Sequence, residues 1–205
     1  MRGYNKNNYL IIKSIVSFTR LQNIFNLNEN QKFKPIILNF FEEIKNTKYA
    51  HDNPFFWLQY AIARLSTRDY DISRRYFETA YSLAKNKADF DTFQIDNHYA
   101  RQILENEVYN GTDATCMEQF IKAHDIIVRN SSLNKNKHYP FRVASNYGKF
   151  YDRFFNGLKD QDQTIFINSC KDILQKINEY KSTVDKYRWN TSVHFCEQEI
   201  QRILS

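Results

Sequence analysis

The stretch NPFFWLQYAIARLSTRDYDISRRYFETAYSLAK, residues 53–85, decides how this chain folds. It is entered through Asp52-Asn53-Pro54, a polar side chain able to accept a backbone N–H, then a proline at the first helical position, where its missing N–H leaves no bond unmade. Apolar residues dominate from there to about Ser66, which predicts a helix. The polar run Thr67 to Asp71 interrupts them and predicts a tight turn, with Asp71 capping a second helix. That helix ends near Lys85-Asn86-Lys87, where positive charge suits the negative end of the helix dipole. Two helices joined by so short a turn form an antiparallel hairpin.

Small and aromatic residues alternate along this hairpin in a way that has a steric meaning. Ala61 on the first helix and Ser73 and Ala80 on the second let the two helices cross closely, while Trp57, Tyr70 and Phe77 fill the grooves beside them. Set out this way, the segment resembles a tetratricopeptide repeat, a match over one repeat of about 34 residues. Arg68-Asp69-Tyr70-Asp71 is similar to the family's Gly-Asp-Tyr-Asp turn. It departs from that family in three places: Arg68 stands for the turn glycine, Ser73 for an alanine, and Lys85 for the closing proline.

Working outward, Leu10, Ile11, Ile15, Phe18, Leu21, Ile24 and Phe25 fall at helical spacing and predict a helix over Tyr9 to Asn26. Pro35 opens another, with Ile36, Ile37, Phe40, Phe41 and Ile44. On the other side, Phe90 to Asn106 reads as a helix, Asn110 to Asp113 as a turn, and Cys116, Phe120 and Ala123 repeat the small–aromatic–small spacing of Ser73, Phe77 and Ala80. This is a second, weaker hairpin over residues 90–130 at a longer period. C-terminal helices are expected over 140–204, as Phe141 to Asn156, Asp160 to Ser182 and about Val184 to Leu204. The sum is an all-α chain of about nine helices, a single helical-repeat domain over residues 1–205. Its architecture is an α-solenoid of irregular TPR-like hairpins.

Composition agrees with this class. Only 4 glycines and 3 prolines punctuate 205 residues, too few for the many turns of a β-sandwich or a doubly wound fold. The 14 tyrosines and 17 phenylalanines are read first as packing between thin helical layers. A net charge of +6 permits contact with nucleic acid, but the basic residues alternate with acidic ones instead of forming an arm. Nucleic acid is therefore possible as a partner and not favoured. A polar start, no run long enough to span a membrane and three scattered cysteines predict a cytoplasmic chain with reduced thiols.

Little in the sequence suggests chemistry. No glycine-rich phosphate loop, nucleophile elbow or paired metal motif is present, so no cofactor, metal site or enzyme activity is expected. His194, Cys196 and Cys170 do not make a zinc set, because His194 and Cys196 point to different faces of one helix. Glu42-Glu43 reads as a solvated face. The loop Arg129 to Arg142 mixes basic and aromatic side chains, including Lys135, Lys137, His138, Tyr139 and Phe141, and is read as a solvated connector before a phosphate-contacting loop. Arg188-Trp-Asn-Thr-Ser-Val-His194 resembles the Arg-His motif of HEPN ribonucleases, which implies Arg188 and His194 as catalytic residues of an alternative, RNA-cleaving reading. Trp189 stands where that family favours a polar residue.

The favoured reading is a non-catalytic protein–protein interaction or scaffold domain. In a solenoid the first helices of the hairpins line a concave face that grips a protein or peptide. Gln59, Arg64, Asn97 and Arg101 are the polar residues expected to project there. The runs from Asn53 to Ala63, Arg75 to Tyr81 and Asp96 to Arg101 also resemble the C-terminal repeat regions of large bacterial anti-phage defence proteins, whose effectors are STAND NTPases or sirtuin-like NADases. That resemblance implies the sensor or scaffold arm of such a protein.

Overall fold

The computed structural model of the protein describes residues 34–87, 90, 92–131, 140–183 and 191–205; the helix expected over Tyr9 to Asn26 lies outside them. The described residues form nine α-helices and two 3-10 segments, with no strand among them, so the chain is all-α. It divides into two compact units, Met1–Ile95 and Asp96–Ser205.

The first unit holds α1 (Lys34–Ile44), α2 (Lys48–His51), α3 (Pro54–Ser66) and α4 (Tyr70–Ala84). Ile37, Phe41 and Ile44 repeat at helical spacing on α1 and bury against Ala50, Phe56, Tyr60 and Ala63. The contact is a ladder of rings. Phe41 stacks on Tyr60 at 4.9 Å and meets Phe56 edge-on at 5.5 Å, and Tyr60 leans on Tyr76 of α4 at 4.4 Å. Each such pair adds about 0.5–1.5 kcal/mol beyond the area it buries. The single turn α2 lies in a stretch that carries no helical periodicity. It forms because the Thr47 side chain accepts the Ala50 N–H, an N-cap that starts one turn without a longer apolar stripe.

The α3–α4 hairpin follows the steric design read from its residues. Asn53 caps α3 through the Phe55 N–H at 3.0 Å, with Pro54 as the first helical residue. Tyr70, Ser73, Phe77, Ala80 and Ala84 form the buried stripe of α4. Ser73, fully buried, turns its hydroxyl onto the Ala61 carbonyl at 2.8 Å, so the serine in place of alanine also ties the crossing. The N-cap of α4 differs from expectation: it is Asp69, not Asp71, and its carboxylate reaches back to Arg64 of α3 instead of capping the helix. Asp71 sits in the first turn, where its charge complements the dipole.

Arg68 explains how the turn works without its glycine. The Arg68 N–H bonds to the Leu65 carbonyl and the Asp69 N–H to the Arg64 carbonyl, both at 3.0 Å, which is the Schellman termination of α3. That geometry needs a left-handed residue, and Arg68 supplies it at φ 61°, the one non-glycine with positive φ among the described residues. A side chain there costs about 1–2 kcal/mol, partly offset by the extra freedom a glycine would lose on folding. Arg68→Gly is therefore expected to stabilise the first unit by about 0.5–1 kcal/mol, read as a rise of a few degrees in its melting midpoint. An unchanged or lower midpoint means that the Arg68 side chain stabilises more than its backbone costs.

The second unit takes in α5 (Phe93–Asn110) from Asp96 onward, then α6 (Cys116–Ser131), a 3-10 segment (Pro140–Ser145), α7 (Asn146–Phe154), a second 3-10 segment (Phe155–Gly157), α8 (Asp160–Thr183) and α9 (Thr191–Leu204). The helix expected over Phe141 to Asn156 is thus broken. Ser145 and Asn146 turn their side chains back onto the carbonyls of Arg142 and Val143, competing with the helical ladder and leaving the first turns in the tighter 3-10 form. Phe141 and Ala144 of that segment are buried where α6, α7, α8 and α9 converge. Phe120 of α6 forms the centre, its ring 4.8 Å from each of Tyr147, Phe150 and Phe166. Cys116, Phe120 and Ala123 are all fully buried, as their small–aromatic–small spacing implies. At Gly148 of α7 the Glu199 carboxylate of α9 occupies the space a Cβ would take, with Oε2 2.1 Å from that position.

Candidate functional site

The four polar residues expected on a concave face occupy quite different places. Gln59 is 7% exposed and Asn97 1% exposed, so both are interior rather than projecting. Arg64 is turned inward. Its guanidinium donates to Glu42 Oε1 at 2.7 Å, to the Tyr60 hydroxyl at 3.0 Å and to Asp69 Oδ2 at 3.2 Å, and it lies over the Tyr60 ring at 5.3 Å. Arg101 alone reaches solvent to a useful degree, and it is paired along its own helix with Glu105 at 2.8 Å. The physical reason is the position of α3: none of its residues is exposed, because α1 and α2 cover one side and α4 the other. On α3 this leaves Gln59 buried and Arg64 half-buried.

Arg64 therefore belongs to an internal clamp. Glu42, read from sequence as part of a solvated face, accepts from the Tyr60 hydroxyl and from Arg64 and pairs with Lys45. Lys45, Tyr60 and Arg64 together hold its carboxyl down to about 2, against the opposing pull of partial burial. Burial first, and then the bond to Glu42, push the Tyr60 hydroxyl up from its ordinary value. With Tyr60 fully buried, the network joins α1, α3 and the turn and presents no reactive atom. Nothing local in the sequence marks this set, since Glu42 and Arg64 at its centre lie 22 positions apart.

The residues of the RNA-cleaving alternative are divided. Arg188 lies outside the described residues. His194 is exposed on α9, its Nδ1 3.6 Å from the carboxylate of Glu197, which is nearly buried and also paired with Lys181. Beside it the side chain of Phe195 stands 61% exposed. The cysteines are interior: Cys116, Cys170 and Cys196 are buried and unbridged. Burial pushes the Cys170 thiol up to about 12 and the Cys196 thiol higher still, which makes both poor nucleophiles at neutral pH. Among the described residues no group of three or more His, Cys, Asp or Glu side chains could hold a metal ion.

Residues 132–139 of the basic and aromatic loop, which include Lys135, Lys137, His138 and Tyr139, lie outside the described residues. Its flanks are structural. Arg129 pairs with Asp96 at 3.1 Å, and Phe141 is 1% exposed, a core residue rather than a stacking platform. Arg142 is exposed.

Continuous exposed stripes run along the second helices of both hairpins. On α4, Asp71, Arg74, Arg75, Glu78 and Ser82 form an exposed stripe opposite the buried one. On α6, Glu118, Ile121, Lys122, Asp125 and Arg129 do the same, with Ile121 a large apolar side chain left 36% exposed. The helical period of the buried residues marks both stripes by complement. No described helix is long and apolar enough to cross a membrane. No family model matches the chain, and neither a curated protein nor a solved structure matches it.

Proposed function

We propose that this chain is a non-catalytic protein-binding domain, an irregular α-solenoid whose partner is held by the second helices of its hairpins. One observation carries the proposal: no residue of α3 is exposed, while α4 keeps a continuous exposed stripe of mixed charge. Glu42, Tyr60 and Arg64 of the first unit are tied to one another, which leaves the outer stripe of α4 to supply specificity. Arg74 and Arg75 are its cationic centre, with Arg74 only loosely tied to Asp71 at 3.7 Å. Rim charges of this kind set which partner is accepted and how fast it associates. The resemblance to defence-protein repeat regions extends the proposal to a sensor or scaffold arm acting beside an effector domain.

The test starts with the full chain as bait and a binding protein identified by mass spectrometry. The purified partner is then titrated against wild type and the double variant Arg74→Glu, Arg75→Glu. Affinity is expected to fall by about tenfold or more, with the far-UV circular dichroism unchanged. A partner whose affinity ignores this reversal, and an equivalent one at Lys122 on α6, would refute the placement. An NTPase or sirtuin-like domain encoded on the same parent reading frame supports the sensor-arm extension, and a parent frame without an effector removes it.

A further inference from the structure

Three helices of the second unit meet at His124. From α6 its ring reaches the hydroxyl of Tyr147 on α7, with Nδ1 to Oη at 2.8 Å, and faces Asp172 on α8, with Nε2 to Oδ2 at 3.6 Å. Phe120 lies parallel beneath it, ring centres 6.1 Å apart. We assign the proton to Nε2, on the side of the carboxylate, because Nδ1 is then the acceptor that the buried Tyr147 hydroxyl needs. Tyr147 is fully buried, and water offers its hydroxyl no alternative acceptor. The order of exposure excludes a catalytic triad. The end of the chain of bonds that would be the nucleophile is the one sealed from solvent, and Asp172, its outer end, is half-exposed.

We propose that His124 is an acid-operated tie: neutral, it accepts the Tyr147 hydroxyl proton and holds α7 to α6; protonated, it can only donate to the Tyr147 oxygen, the hydroxyl proton loses its acceptor, and α7 is loosened. On protonation both ring nitrogens become donors, so the Tyr147 O–H is stranded in an interior where an unmade hydrogen bond is costly. The new attraction between the imidazolium and Asp172 is a poor substitute, because that carboxylate is open to water and salt. Other charges facing the ring are Asp125 on its own helix, which favours the proton, and Lys176 on α8, which opposes it. Cys170 of α8 and Cys196 of α9 lie beside Tyr147 as neutral thiols. The sole ionisable residue of the 3-10 segment, Arg142, acts on His98 instead. From α5, Tyr99 meets Lys122 and Asp96 meets Arg129, on the turns either side of His124. Burial, the largest influence on the ring, favours the neutral form.

The experiment compares the full wild-type chain with Tyr147→Phe, which removes one hydroxyl and keeps the ring. The His124 ring is titrated by NMR, and amide exchange of α7 is followed from pH 7.5 to 5 after correction for intrinsic rates. In wild type, His124 is expected to titrate below the free-histidine value, with α7 exchange accelerating by about tenfold along the same curve. In Tyr147→Phe the midpoint should move up toward that of free histidine, and the acceleration should shrink to that of the rest of the unit. A midpoint unmoved by Tyr147→Phe, or a full acceleration that survives it, overturns the proposal. His124→Gln, which still offers an acceptor but cannot take up the proton, should hold α7 to the acid response of the rest of the unit; α7 exchange that still outpaces the rest of the unit in that variant also overturns it.

Discussion

Phe120→Ala is expected to destabilise the second unit by about 3–5 kcal/mol, close to the whole stability of a small domain. Phe120 is fully buried, and its ring is the common neighbour of Tyr147, Phe150 and Phe166, one on each side at 4.8 Å, with His124 stacked alongside. Removing it separates α6 from both α7 and α8. The surrounding rings are rigid and stacked on one another, Phe150 on Phe166 at 5.5 Å, so they cannot close the void by changing rotamer alone. Urea unfolding followed by exchange mass spectrometry checks this, because peptides from the two units are read separately. Peptides from α6 to α9 should lose protection together while those from α3 and α4 keep theirs. A loss below about 1.5 kcal/mol, the range of tolerated core swaps, would show that the rings repack and that Phe120 is not the keystone.

Phe120 also shows what was legible in the residues. Its position follows from Phe77 by the repeated spacing of small and aromatic residues, and both are fully buried. The cap at Asn53-Pro54, the turn and the buried stripe of α4 could be read for the same reason: each is a local pattern whose mechanism acts within about one helical turn. Long-range features could not be read. Gln59 and Arg64 look like surface residues until α1 is placed against α3 and Glu42 and Asp69 are found waiting for the guanidinium. Asn97 is polar and 1% exposed, with neither end of its amide hydrogen-bonded among the described residues. Periodicity can say which positions share a face; it cannot say that both faces of a helix are covered. The break at Ser145 and Asn146 and the lone turn at Thr47 depend on single side-chain bonds that compete with, or start, a helix. Such bonds leave no periodic trace.

Acid should unfold the two units in order, the second before the first. In the second unit His98 is partly buried on α5, and burial, with repulsion from Arg101 and Arg142, brings it down from 6.5 to about 4. Below pH 6.5 the unfolded chain takes up a proton that the folded unit refuses, so stability falls as pH drops, and the loss is complete near pH 4. A shift of this size is worth about 3 kcal/mol at about 1.4 kcal/mol per unit. His124, lowered mainly by burial, acts in the same direction. Glu107 works against them. Burial raises its carboxyl, so it binds its proton earlier in the folded unit than in the unfolded chain and softens the loss. The first unit follows another rule. Glu42 is lowered from 4.5 to about 2 by Lys45, Tyr60 and Arg64, so its contribution is intact above pH 4.5 and disappears only as pH falls through about 2. That contribution is reduced by solvent, because the carboxylate is 35% exposed. Among the described residues, those that weaken between pH 6.5 and 4.5 belong to the second unit. Exchange mass spectrometry at pH 7, 5.5 and 4.5 should show α6 to α9 losing protection progressively, with α1, α3 and α4 unchanged until lower pH. His98→Gln should recover most of the lost protection at pH 4.5. First-unit helices opening before α6 to α9, or an acid response indifferent to His98→Gln, would place the acid-sensitive groups elsewhere in the chain.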